Sequence, residues 1–158
     1  MLTAEDMVGT HVPGEPLRRD ALSDNQLMEG LVSLLKQKEG EQGKPFFLGL
    51  YNLETHAFQK IRADGKPYAG GNHYILDAIH NLDHALGKFW RYFRESTWAD
   101  NTVVVFTSDH THYPDRDFLE IARGPAFDPD YRPYFVDRIP FIIRHPCLLY
   151  TSPSPRDA

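Results

Sequence analysis

The chain has 158 residues, with 17 Lys plus Arg against 22 Asp plus Glu and a formal charge of −5. Apolar residues make up 41% and aromatics 13%, enough for one packed domain and too many for a disordered chain. The acidic balance argues against a nucleic-acid binder, which needs clustered Lys and Arg. No apolar run approaches the roughly 18–20 residues of a membrane helix, and the start Met1-Leu-Thr-Ala-Glu-Asp has neither the basic nor the apolar region of a signal peptide.

Residues 1–22, with Pro13, Gly14 and Pro16, read as irregular. A helix is expected next. Ser23 and Gln26 have the spacing of a capping box, and Leu22 and Leu27 that of a hydrophobic staple. Leu27, Leu31, Leu34 and Leu35 form the apolar stripe, Lys36 and Lys38 suit the last turn, and Gly40 suits the stop. Phe46 to Leu53 is nearly all apolar and predicts a strand buried on both faces. After a loop with Asp64-Gly65, Pro67 and Gly70-Gly71, a long helix is predicted over 72–95. Its stripe is Tyr74, Ile75, Ala78, Ile79, Leu82, Ala85, Leu86, Phe89, Trp90 and Phe93. Asn101 to Ser108 is β-branched and apolar, a second buried strand. Asp109 to Arg138 reads as a long polar stretch, and Ile139 to Ile143 as a third short strand.

The fold class that follows is α/β, with a largely parallel sheet and flanking helices. Strand 46–53, helix 72–95 and strand 102–107 form a βαβ unit, whose strands should be parallel and whose crossover right-handed. The segments after the two strands then leave the sheet at one carboxyl edge, where open α/β sheets bind ligands. These segments are Glu54-Thr55-His56 and Ser108-Asp109-His110-Thr111-His112. An adjacent Asp and His at a strand end can ligate one cation. A carboxylate with an imidazole favours Zn, Mn or Fe over Ca or Mg, which prefer all-oxygen shells. His80 and His84 have metal-compatible spacing, but the apolar stripe beside them makes a place flanking the core the simpler reading. Gly70-Gly71 is not a phosphate cradle, because no Lys-Ser/Thr follows it.

Lys44-Pro-Phe-Phe-Leu-Gly-Leu-Tyr-Asn-Leu-Glu-Thr-His56 resembles a segment of sulfatases and their relatives. Tyr74 to Leu86, Ala99-Asp-Asn-Thr-Val-Val-Val-Phe-Thr-Ser-Asp-His110 and Ile139-Pro-Phe-Ile-Ile-Arg-His-Pro146 follow in that family's order and spacing. The resemblance covers about Asp20 to Pro146 and implies the alkaline-phosphatase-like superfamily. Asp109-His-Thr, Tyr113-Pro114 and Tyr134-Phe-Val-Asp-Arg-Ile-Pro140 look most like its lipoteichoic acid synthase-like phosphoglycerol transferase branch; many sulfatases have Asp-Asn-Gly or Asp-His-Gly instead.

By this resemblance Asp109 and His110 match the family's late metal-ligand pair, for a divalent ion with Mn or Zn favoured and Mg or Ca as alternatives. His56 matches the histidine that contacts the transferred phosphate or sulfate group. The family's nucleophile, a Thr in the transferases and a modified Cys or Ser in sulfatases, has no counterpart in residues 1–40, and Cys147 lacks the Cys-x-Pro-x-Arg context. The chain alone is therefore expected to be inactive. In the parent mechanism a metal-activated hydroxyl attacks a tetrahedral phosphorus or sulfur and forms a covalent intermediate, which water or an acceptor alcohol resolves. The implied parent is membrane-anchored at the extracytoplasmic face, with a lipid-linked ester substrate. A sulfuric ester hydrolase and a non-catalytic binding domain are the competing readings.

Residues 147–158 stand apart. Cys147-Leu-Leu-Tyr-Thr-Ser-Pro-Ser-Pro-Arg-Asp157 resembles, translated in frame, the adapter of transposon-based sequencing libraries. The domain is accordingly expected to occupy 1–146 as a partial catalytic domain, with an adapter-derived tail after it and Met1 an internal methionine of a longer chain.

Overall fold

The computed structural model describes residues 22–39, 45–55, 60–111, 116–124, 130 and 138–146. The chain divides into two compact units, Met1–Thr97 and Trp98–Ala158.

The first unit is built on two helices, α1 (Asp24–Glu39) and α2 (Tyr74–Glu95). The expected capping box forms. The Ser23 hydroxyl accepts the Gln26 N–H at 3.1 Å, and Gln26 Oε1 accepts the Ser23 N–H at 3.0 Å. This satisfies two donors that a helix start would otherwise leave orphaned. Leu27, Leu31 and Leu35 are buried as the stripe predicts, with Met28 in place of the half-buried Leu34. α2 starts without a side-chain cap. Instead Asp77, in its first turn, accepts the Tyr68 N–H at 2.8 Å and so ties the preceding loop to the helix. That loop turns at Gly71, whose φ of 78° favours glycine and where a Cβ would press on Pro67 at 3.3 Å. The helix stops at Ser96, whose N–H and hydroxyl both donate to the Phe93 carbonyl, at 3.2 and 2.7 Å.

The two helices pack side by side in the same direction. Near their starts Asn25 Nδ2 donates to Asn81 Oδ1 at 3.1 Å; near their ends Tyr92 donates to Glu39 at 3.0 Å and Lys36 lies over the Tyr92 ring. Parallel neighbours require the chain between them to return. Lys38 sits over the Phe46 ring at the end of α1, while Glu54 accepts the Asp24 N–H at its start. From Asp24 to Lys38 the helix rises about 21 Å at about 1.5 Å per residue. Residues 46–54 therefore run back along α1, a course suited to extended backbone, which covers about 26–29 Å over that length.

That return is not the fully buried strand the composition suggests. Residues 45–53 join no sheet, and Phe47 is 90% exposed. A strand buried on both faces needs helices on both sides of its sheet. Among the described residues of this unit, only α1 and α2 are present to cover it.

A 3₁₀ turn (Thr97–Asp100) begins at the last residue of the first unit, and the second unit holds β1 (Val104–Thr107), α3 (Arg116–Ala122) and β2 (Phe141–Arg144). The strands pair antiparallel, with Val104 opposite Arg144 and Thr107 opposite Phe141. The parallel partner expected for 102–107 is thus absent among the described residues, and the one sheet they form is an antiparallel pair. Burial alternates along β1 and leaves Val105 half exposed, because a two-stranded sheet has few neighbours to cover it. The Arg144 guanidinium donates to the carbonyls of Ala99 and Thr102, which fixes the end of β2 beside the entry to β1. α3 lies inside the long polar stretch of Asp109 to Arg138; seven residues hold too few turns for a period to show. No helix among the described residues is long and apolar enough to cross a membrane.

Candidate metal centre

Asp109 and His110 follow β1 after one residue, Ser108, in a bend. Asp109 Oδ1 accepts the His110 N–H at 2.9 Å, and the Ser108 hydroxyl donates to the His110 carbonyl at 2.6 Å. The imidazole Nδ1 lies 2.6 Å from the Thr111 carbonyl. A carbonyl only accepts, so Nδ1 carries the proton and Nε2 is the basic nitrogen. Metal-binding histidines characteristically have one ring nitrogen fixed by a carbonyl or carboxylate in this way. Nε2 then stands 3.7 Å from Asp109 Oδ2, with both side chains about half exposed. Two donors sharing one tetrahedral ion are separated by roughly 3.4 Å. The pair therefore fits one edge of a coordination shell, and its mixed carboxylate and imidazole donors suit Zn or Mn. Among the described residues no three His, Cys, Asp or Glu side chains converge as a complete metal set.

His56, the other expected site residue, and His112 lie outside the described residues. The chain entering His56 is described as far as Thr55, and it is firmly held. Asn52 Nδ2 donates to the Thr55 hydroxyl at 3.0 Å. Glu54, 7% exposed, accepts three donors: the Asp24 N–H at 3.0 Å, Asn81 Nδ2 at 2.8 Å and the Arg62 N–H at 3.3 Å. Asn81 also accepts from Asn25 Nδ2 and from the Lys66 N–H, so one side chain of α2 joins α1, the 60s loop and Glu54. The sequence reading gave this hub no role. The available signal was an amide at position 81, where the apolar stripe of α2 calls for a core residue.

His80 and His84, the other histidines with metal-compatible spacing, lie on α2. His80 packs edge-on against Tyr68. His84 has its pKa lowered, first by partial desolvation and then by Lys66, Lys88, Arg91 and His80 around it. Both sit on α2 in the first unit, as flanking residues of its packed face.

The sulfatase family model matches residues 3–150. The chain belongs to the sulfatase family. No curated protein and no solved structure matches it. Membership makes this an enzyme-family domain of the alkaline-phosphatase superfamily and of α/β class. Sulfatase-family enzymes act on ester substrates and generally use a divalent metal ion.

Proposed function

We propose that this chain is part of a metal-dependent enzyme acting on phosphate or sulfate esters, and that its parent is a phosphoglycerol transferase of the lipoteichoic acid synthase-like kind. The observation that supports it most is the Asp109 Oδ2–His110 Nε2 pair, 3.7 Å apart just after β1, in a chain of the sulfatase family. In this reading Asp109 and His110 hold a divalent cation, Mn or Zn by preference and Mg or Ca as harder alternatives. The cation supplies positive charge for the oxygens of the transferred group. His56 is the substrate-binding residue of this reading, a hydrogen-bond donor to an oxygen of the ester. The Thr111 carbonyl keeps the His110 proton on Nδ1.

The transferase branch is supported by Asp109-His110-Thr111 and by Tyr134 to Pro140. It brings a membrane-anchored parent at the extracytoplasmic face and a lipid-linked substrate. Residues 1–146 then form part of the catalytic domain, 147–158 are adapter-derived, and the chain by itself turns over no ester because it lacks the nucleophile. A sulfuric ester hydrolase is the second reading, favoured by the matching family being that of the sulfatases.

The deciding experiment supplies the chain with its native upstream sequence and adds Mn²⁺. A glycerophosphate-linked lipid and an aryl sulfate are offered as substrates. The proposal expects turnover of the phosphate ester, at least a hundredfold loss in His56→Ala, and no turnover by residues 1–158 alone. Turnover of the sulfate ester alone selects the second reading. Equal rates for the extended chain and its His56→Ala variant overturn the role of His56.

A further inference from the structure

The start of α1 carries a second buried acid beside Glu54, and its chemistry is unlike that of its neighbour. Asp24 is fully buried, and among the described residues neither Oδ atom makes a well-formed hydrogen bond, the Asn52 side chain lying near enough to act only as a weak donor. Glu54 accepts three donors. Donors stabilise a carboxylate and burial with few of them penalises it, so Asp24 is the acid placed to hold a proton.

The surrounding groups agree with this assignment. From the loop, Asp64 contributes a further negative charge; its Oδ2 accepts the Ser23 hydroxyl at 2.5 Å. From α2, Asn81 is neutral, and the Lys88 ammonium is engaged by Asn25 Oδ1 at 3.2 Å and Glu29 at 3.8 Å. The helix start favours a negative charge nearby, but that effect is smaller than the penalty of a buried carboxylate with few donors. Burial first and then Glu54 push the Asp24 carboxyl up to about 7, with Asp64 adding to the shift and Asn52 opposing it.

We propose that Asp24 and Glu54 form a proton-operated latch, which seats the first turn of α1 against the chain entering His56 when Asp24 is protonated and loosens it when that proton is lost. The two points of closure are the Asp24 and Arg62 amides, both of which donate to Glu54. Loss of the Asp24 proton places two carboxylates side by side in a buried site, and the strain falls on those two hydrogen bonds. The latch is independent of the metal reading of Asp109 and His110.

The test compares the wild type with Asp24→Asn between pH 4 and 9, by urea unfolding and amide hydrogen exchange. The folded state holds the Asp24 proton more tightly than the unfolded chain, whose Asp titrates near 3.8. The proton's contribution is complete below that value and is lost as pH rises through about 7. The folding constant of the wild type relative to Asp24→Asn should fall up to about tenfold per pH unit over that window and then level off. Exchange protection at the Asp24 and Arg62 amides should drop above neutrality in the wild type, and protection at Arg62 and the residue-24 amide should persist in the variant. A ratio that does not change with pH overturns the latch. So does a pH 8 stabilisation by millimolar Ca²⁺ that Asp24→Asn loses, which would assign the acid pair to a cation. Should the variant not fold, a carboxyl-carbon NMR titration of wild-type Asp24 decides alone: a midpoint near 7 supports the latch, and one below about 4.5 overturns it.

Discussion

Asn81 reaches from the buried face of α2 to Glu54, its Nδ2 donating to Oε2 across 2.8 Å. The same side chain accepts from Asn25 Nδ2 and from the Lys66 backbone. An amide with this many buried partners is structural, because each partner it abandons stays desolvated. Asn81→Ala should therefore destabilise the fold by about 2–4 kcal/mol, more than a lone hydrogen bond contributes. Chemical denaturation checks this, and a loss under 1 kcal/mol would show that the hub is slack or rescued by water.

Ser23 links two parts of the first unit. Its hydroxyl caps α1 at Gln26 and donates to Asp64, and its backbone carbonyl accepts the Leu27 N–H. Ser23→Ala removes the first two contacts and should cost about 1–2 kcal/mol. Ser23→Asp keeps a capping oxygen but brings a third carboxylate beside Asp24 and Asp64. It should recover less stability than an Asp cap normally does, and less at pH 8 than at pH 5. Full recovery at both pH values would separate the cap from the buried acids.

Large apolar side chains remain on the surface of each unit taken by itself. Phe47 is 90% exposed, Phe141 66% and Ile142 59%. Exposed strands with apolar faces associate with one another. The protein should bind the dye ANS and show a sedimentation coefficient that rises with concentration. The double variant Phe141→Lys, Ile142→Lys should reduce both effects. A sharply monomeric species over the same range would show that these faces are covered in solution.

The helices were legible in the sequence because their signals are local. Ser23 and Gln26 fix one start, and a three- and four-residue recurrence fixes the face of α2. The buried positions Ile75, Ala78, Ala85, Phe89 and Phe93 all lie on the predicted stripe. Only its margins shift, with Tyr74 and Ile79 exposed and Asn81 taking a core position. The strands were less legible. An apolar run such as Phe46 to Leu53 states what a segment would bury but not which partner it pairs with, and pairing is a long-range property. Val104 to Thr107 was correctly read as a strand, yet its partner is the antiparallel Phe141 to Arg144. At the candidate site, the Asp109–His110 pair could be read from its place after a strand. The Thr111 carbonyl that sets the histidine tautomer could not, because it depends on how the turn closes.

The most direct test of the metal centre is a two-dimensional NMR spectrum of the histidine imidazoles, recorded while Zn²⁺ is titrated into the chain and into its Asp109→Asn variant. With two donors from this loop, binding should be weak, in the micromolar to millimolar range. The His110 Nε2 resonance should move to a metal-bound position while Nδ1 keeps its proton, and Asp109→Asn should weaken the response at least tenfold. A His110 ring that ignores the metal, or one that responds equally in Asp109→Asn, would contradict the assignment of this pair as metal ligands.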